Sequence, residues 1–175
     1  MGDSDDLAAF LRDRDEAGFL RLYRAHTPAL FRVVVRMLGE RSLAEDAVQE
    51  TWLRAVRALP GFRGDSSLRT WLTSVAINCC RESLRRRPAA LTPAQPEERG
   101  ASSAAEENLD VSRALLRLPE GYREVLVLHD VEGFTHREIA ALLEIAPGTS
   151  KSQLFLARRA LRRLLPDLQG EEGDE

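Results

Sequence analysis

The sequence predicts an all-α protein built as two small helical domains joined by a flexible linker. Three observations carry that reading. Apolar residues recur at three- and four-residue steps along most of the chain, and neither a strand pattern nor an internal repeat occurs. Between residues 88 and 108 the text changes to Pro88, Pro93, Pro96, Gly100 and many Ala, Ser and Glu, with few large apolar residues, which is linker composition. Beyond it, residues 135–161 read as two short helices broken by Ile145-Ala146-Pro147-Gly148, a helix-turn-helix arrangement. The domains run over 1–87 and 109–166, and 167–175 is an acidic tail.

In the first domain, Phe10, Leu11, Phe19, Leu20, Tyr23, Leu30, Phe31, Val34, Val35 and Leu38 fit helical spacing, with Pro28 expected to start a new helix and Gly39 to end it. Ser42-Leu-Ala-Glu45 reads as a capping box opening a helix that runs to Leu59, before Pro60-Gly61. On a wheel of about 100° per residue, Ala44, Val48, Trp52, Ala55 and Leu59 face inward. Asp46, Gln49, Glu50 and Arg57 face outward with Leu53 among them, and an exposed leucine amid acids hints at a docking surface. The loop Pro60-Gly-Phe-Arg-Gly-Asp-Ser-Ser67 carries one aromatic and one arginine. The helix after it, 68–87, turns Leu68, Leu72, Val75, Ala76 and Cys79 inward. Its other side presents Thr70, Ser74, Asn78, Arg81 and Arg85, with Trp71 at the edge and Arg85-Arg86-Arg87 at the end. A basic, amide-bearing face beside an aromatic loop suits single-stranded nucleic acid. A solvated basic helix end is the competing reading.

In the second domain Asp110 is expected to cap a helix carrying Val111, Leu115 and Leu118, Pro119 breaks it, and Gly133 stops the next one after Val125–Leu128. Thr135 and Glu138 form a capping box, and Ile139, Ala140, Leu142 and Leu143 make the apolar face behind it. Thr149 is expected to cap the last helix, whose Leu154, Ala157, Leu161 and Leu164 face the core. Lys151, Arg158, Arg159, Arg162 and Arg163 cover the rest with no acid among them, as suits a major groove.

Bulk composition excludes several classes. The 175 residues carry 30% charged and 43% hydrophobic side chains at a net charge of -3, so any attraction to nucleic acid is local rather than global. Local sign decides, because phosphate contacts act within a Debye length of about 10 Å. Cys79 and Cys80 are adjacent, which rules out a disulfide-stapled scaffold; both read as structural, with Cys80 nearer the boundary. No signal-length apolar run opens the chain and no stretch nears the roughly 18 apolar residues of a membrane span, so a cytoplasmic protein without membrane insertion is expected. His26, His129 and His136 are scattered without metal-ligand spacing, and His129-Asp130 lacks any nucleophile signature. No metal, cofactor or enzymatic activity is expected. Trp52 and Trp71 read as core or core-edge anchors.

Several of these stretches resemble one family. Ala44-Glu-Asp-Ala-Val-Gln-Glu-Thr-Trp-Leu-Arg-Ala-Val56 resembles the polymerase-binding segment of bacterial sigma factors. Phe62, Arg69-Thr-Trp-Leu-Thr-Ser-Val-Ala-Ile-Asn78 and Arg85-Arg86-Arg87 resemble their promoter-melting segment. Leu118-Pro-Glu-Gly-Tyr-Arg-Glu-Val-Leu-Val-Leu128, Gly133-Phe-Thr-His-Arg-Glu-Ile-Ala-Ala-Leu-Leu143 and Pro147-Gly-Thr-Ser-Lys-Ser152 resemble the domain that reads the upstream promoter element. Two domains and a short linker is the layout of the extracytoplasmic function (ECF) group, so the first domain would be sigma region 2 and the second region 4. The resemblance implies that Asp46, Gln49, Glu50, Leu53 and Arg54 dock on core RNA polymerase. It further implies that Phe62, Arg63, Asp65, Ser66, Ser67, Trp71, Asn78, Arg81 and Arg85 meet the melted non-template strand of the −10 element. For duplex promoter DNA at −35 it implies Thr149, Lys151, Ser152, Gln153, Phe155, Arg158 and Arg159, and it implies control by an anti-sigma factor. The chain departs from the family where Ser150 replaces a common valine, Gln153 a common arginine, and Phe155 and Leu156 basic or imidazole side chains, and where Glu82 replaces an aspartate. The alternative reading is a helix-turn-helix transcriptional regulator acting without polymerase.

Overall fold

A computed structural model describes residues 3–13, 15–86 and 103–165. Most of the linker reading and the whole of the acidic tail lie outside them. All the regular secondary structure of the described residues is helical, without a strand. The N-terminal helices are α1 (Asp3–Asp13), α2 (Glu16–Leu38), α3 (Arg41–Ala58) and α4 (Leu68–Arg86), with a single 3-10 turn at Leu59–Gly61. The C-terminal helices are α5 (Ser103–Arg117), α6 (Glu120–Leu126), α7 (His136–Leu143) and α8 (Pro147–Leu164), with a π-helical turn at Val127–Val131. None of the described helices is long and apolar enough to cross a membrane.

Asp15 caps α2, its carboxylate accepting from the Ala17 and Gly18 backbone N–H groups. The helix then runs unbroken to Gly39. Pro28 therefore does not start a helix, as the sequence suggested, but sits inside one. An interior proline costs roughly 3 kcal/mol. Burial of Leu22 and His26 before it and of Leu30, Val33 and Val34 after it fixes both halves against the same core and offsets that cost. The expected Ser42–Glu45 capping box is also absent: α3 starts at Arg41, Ser42 Oγ donates to Glu40 Oε1, and Glu45 accepts from Arg41 Nε. Ser42 already lies within the first turn, where its hydroxyl cannot reach an orphan N–H.

The inward stripe of α3 is as expected, with Ala44, Val48, Trp52, Ala55 and Leu59 all buried. Trp52 packs edge-on to Phe19 and beside Tyr23, and its indole N–H donates to Thr27 Oγ1 at 3.0 Å. Thr51 is fully buried and returns its hydroxyl to the Ala47 carbonyl at 2.7 Å, which satisfies it without a distant partner. On α4 the burial is two-sided. Leu68, Leu72, Ala76 and Cys79 are buried as expected, while Val75 is only half-buried; Thr70, Thr73, Ile77 and Cys80 are buried too. Thr70 was expected on the outer side; instead its hydroxyl pairs with Ser67, which caps α4.

In the C-terminal domain α5 begins at Ser103, inside the stretch read as linker, so Asp110 is a mid-helix residue rather than a cap. Ala105 and Glu106 are good helix formers, and nothing in 103–109 breaks a helix. The Thr135–Glu138 capping box of α7 is present in both directions. Thr149, in contrast, does not cap α8. That helix starts two residues earlier, at Pro147, because proline lacks the N–H that a first helical turn leaves unbonded anyway.

The two domains pack together, α4 against α7 and α2 against α5 and the π-helical turn. One contact explains a glycine. Gly39 has φ of 74°, and a Cβ there would collide with the Leu116 side chain of α5. Gly64, in the α3–α4 loop, has φ of 75° with open space around it. Alanine at either site takes a left-handed conformation costing about 1–2 kcal/mol. Gly39→Ala should therefore lower thermal stability more than Gly64→Ala does, and equal losses in melting experiments would mean that Leu116 is not seated on Gly39.

Candidate functional site

Three surfaces carry the residues singled out above. The first is the outward face of α3. Asp46 and Gln49 are exposed, Glu50 is half-buried, and Leu53 stands 50% exposed between acids. Arg54 does not simply point outward: its guanidinium forks onto Glu82 of α4 at 2.7 and 2.8 Å and takes Glu50 at 2.6 Å. It locks α3 to α4 and holds the Glu50 carboxylate in place. The Arg54 bond, helped by Arg86, pulls the Glu82 pKa down to about 2.

The second surface is the loop after α3 with the adjoining side of α4. Phe62 packs on Trp71 with ring centres 5.3 Å apart, both half-buried, so the loop and the helix share one aromatic platform. Arg63 and Asp65 pair at 3.1 Å on the exposed loop, and Ser66 is exposed beside them. Ser67 is partly committed, since its hydroxyl accepts from the Thr70 backbone N–H. Asn78 and Arg85 are exposed, with Arg85 Nε on the Arg81 carbonyl. Arg81 is the exception. It makes a bidentate pair with Glu124 of α6, both bonds 2.8 Å, rather than facing outward.

The third surface is α8. Thr149, Lys151, Ser152, Phe155, Leu156, Arg158 and Arg159 are exposed, Phe155 by 67%. Arg158 is held by a fork onto Asp130 at 2.6 and 2.9 Å. Ser150, fully buried, shares a 2.9 Å hydrogen bond with His136 Nδ1 across the turn between α7 and α8. The His136 ring stacks on His129 at 4.7 Å, and burial together with that neighbour lowers its pKa. Gln153 is the correction here. It lies against Gly121 of α6, its amide 3.3 Å from where a Cβ would sit, and its Oε1 is buried without a hydrogen bond. Positions 150, 153, 154 and 157 form one stripe at steps of three and four, so Gln153 belongs to the inward face.

Sequence reasoning did not single out Glu124, Glu132 or Arg69. Glu132 is buried and receives Arg32 from α2 and Arg69 from α4. No periodicity marks these pairs, whose members are 63 and 100 positions apart.

The Arg54–Glu82 pair makes a pH prediction. A carboxylate held below its usual pKa of 4.5 contributes stability in full above that pH and loses it as pH falls toward about 2. Glu82→Gln should flatten the acid side of the melting-temperature profile across that window. Parallel profiles for the two proteins would show that the pair has no linkage to folding.

Comparison with known proteins agrees with this layout. Residues 22–89 match the sigma-70 region 2 family and residues 108–161 the sigma-70 region 4 family. The RNA polymerase sigma-H factor of Pseudomonas aeruginosa is 31% identical across 90% of this chain and 91% of its own length. The ECF RNA polymerase sigma factor SigM of Mycobacterium tuberculosis is 34% identical across 93% and 84%. Among solved structures, CnrH in complex with the cytosolic domain of CnrY is similar with a TM-score of 0.74 and 28% identity, over 95% of this chain and 99% of that one. The sigma factor RpoE of Bartonella quintana, solved in complex with the anti-sigma factor NepR, gives 0.69 and 27%, over 85% and 96%. The chain belongs to the sigma-70 family of RNA polymerase sigma factors, in its extracytoplasmic function group.

Proposed function

We propose that three surfaces divide the work of promoter-directed initiation. The α3 face, Asp46, Gln49, Glu50 and Leu53, docks on core RNA polymerase. Phe62, Trp71, Asn78, Arg81 and Arg85 receive the melted non-template strand of the −10 element, the two rings offering a stacking platform. Stacking on an aromatic side chain is worth roughly 1–3 kcal/mol per base, enough to offset the cost of unstacking one. Lys151, Phe155, Arg158 and Arg159 of α8 meet the −35 duplex, arginines on phosphates and Phe155 against thymine methyls. Action on polymerase and chromosome places the protein in the cytoplasm, as a binding factor rather than an enzyme.

The observation that carries the docking role is Leu53, half exposed at the centre of an acidic rim. A helix-turn-helix regulator working without polymerase has no use for that surface, while a partner with basic and apolar groups does. An anti-sigma factor is proposed as the controlling partner, because a similar sigma factor was solved with one bound.

Purified chain added to core enzyme is expected to start transcription at a restricted set of promoters, read by mapping start sites. Reversing the rim, Asp46→Arg with Glu50→Arg, should weaken core binding at least about tenfold, because like charges then face the partner. Normal affinity in that variant would remove the docking assignment. For α8, Arg159→Ala should reduce the slope of log affinity against log salt by about one, as for a single lost phosphate contact. An unchanged slope would mean that Arg159 does not touch phosphate.

A further inference from the structure

Helix α8 and the segment after it carry opposite charge. Lys151, Arg158, Arg159, Arg162 and Arg163 are exposed on α8, and no acidic residue interrupts Pro147–Leu164. At about 100° per residue their directions fall within about 140° of one another, a single face. Asp130 takes Arg158, whereas Lys151, Arg159 and Arg163 form no ion pair among the described residues. Residues 166–175 lie outside the described residues, and their charged side chains are Asp167, Glu171, Glu172, Asp174 and Glu175, all acidic.

Reach and chain direction let the two meet. Leu165 has already left the helical region, with φ of −123° and ψ of 69°. Pro166 lacks the N–H that a further helical turn would need, which favours a change of direction after Leu165. Positions 151 and 165 stand about 21 Å apart along a helix that rises about 1.5 Å per residue. An extended chain at about 3.3 Å per residue covers that distance in about six or seven residues. Running back from Leu165, it brings Glu171 and Glu172 level with Lys151. So short a tether holds the acids near the face at roughly millimolar effective concentration.

From this complementarity of charge and length we infer that residues 167–175 fold back along α8 and cover its basic face, with Glu171 and Glu172 beside Lys151 and Asp167 beside Arg163. The segment is an internal competitor of duplex DNA, which must displace it to reach the same cations. That competition rests on the reading of α8 as the −35 surface; the contact itself does not. Exposed ion pairs are individually weak, so a promoter held close by polymerase displaces the cover while stray duplex meets a screened face.

Lys151 is the one lysine of the chain, so a zero-length cross-link to it is unambiguous. A water-soluble carbodiimide joins an amine to a carboxylate in contact with it. Applied to the full chain, it should link Lys151 to Glu171 or Glu172 within single molecules, read by mass spectrometry. The link should disappear at about 1 M salt, where the Debye length is about 3 Å. A second arm measures fluorescence anisotropy with a labelled mixed-sequence DNA duplex at about 0.1 M salt, where that length is about 10 Å. It compares the unaltered chain with Glu171→Gln plus Glu172→Gln, and with the charge-matched pair Glu16→Gln plus Glu45→Gln, exposed on α2 and α3. The first variant should bind at least about twofold more tightly, the low end for two exposed ion pairs. The charge-matched variant should bind as the unaltered chain does. Absence of any link from Lys151 to 167–175 overturns the contact, and so does equal tightening in the two variants. A link without tighter binding overturns the competition with DNA. If the link forms and none of the proteins binds duplex, the reading of α8 has failed and the contact has not.

Discussion

Glu132 has 1% of its side chain in water, and burying a carboxylate is costly unless it is paired and hydrogen-bonded. Its two arginines come from different helices, α2 and α4, so a single charge ties the C-terminal domain to two elements of the N-terminal one. Leaving such a group buried without its partners would cost roughly 3–5 kcal/mol. The pairs therefore specify a geometry more than they add stability, consistent with the small net worth of buried ion pairs compared with apolar contacts. Apolar packing completes the seam, with Leu116 seated on Gly39 and Ile77 and Cys80 buried on the second side of α4. Burial pushes the Cys80 thiol up to about 12, so it behaves as a small apolar side chain rather than a reactive one.

The α7–α8 pair has its own internal constraint. Ser150 sits where a purely apolar residue would pack, yet its hydroxyl is not orphaned, because it shares a 2.9 Å hydrogen bond with His136 Nδ1. That bond, with the Thr135–Glu138 capping box, sets the start of α7 against the start of α8 and so the angle at which α8 leaves the domain. The Asp130 fork holds Arg158 in a defined place on the exposed side of α8. Such a carboxylate orders an arginine and at the same time competes with any phosphate for it. Arg159, one position on, is exposed.

Amphipathic faces were legible in the sequence because a repeat of three and four residues has only one explanation in a helix. Ala44, Val48, Trp52 and Ala55 on α3, Leu59 in the turn after it, and Ile139, Ala140, Leu142 and Leu143 on α7, are buried as read. Helix starts were less legible. Ser42, Asp110 and Thr149 have the chemistry of caps, but Glu40, Ser103 and Pro147 lie upstream and the helices start there or next to them. Pro28 reads as a boundary in isolation, and only the core on both sides keeps α2 continuous. The second buried side of α4 was invisible because it packs on the other domain, and a wheel drawn for one helix holds no information about that. Gln153 falls in the same class: a polar residue in an apolar stripe reads as outward until its neighbour across the gap, Gly121, is in view.

The Arg81–Glu124 and Arg69–Glu132 pairs hold the two helical domains against each other. Pulsed electron resonance reads that seam as the distance between spin labels on exposed sites, Ala58→Cys at the end of α3 and Ala141→Cys on α7. One short, narrow distance is expected in the free chain, and a distinctly longer one when core RNA polymerase is added. The same distance in both states, or a broad range of distances in the free chain, would contradict it.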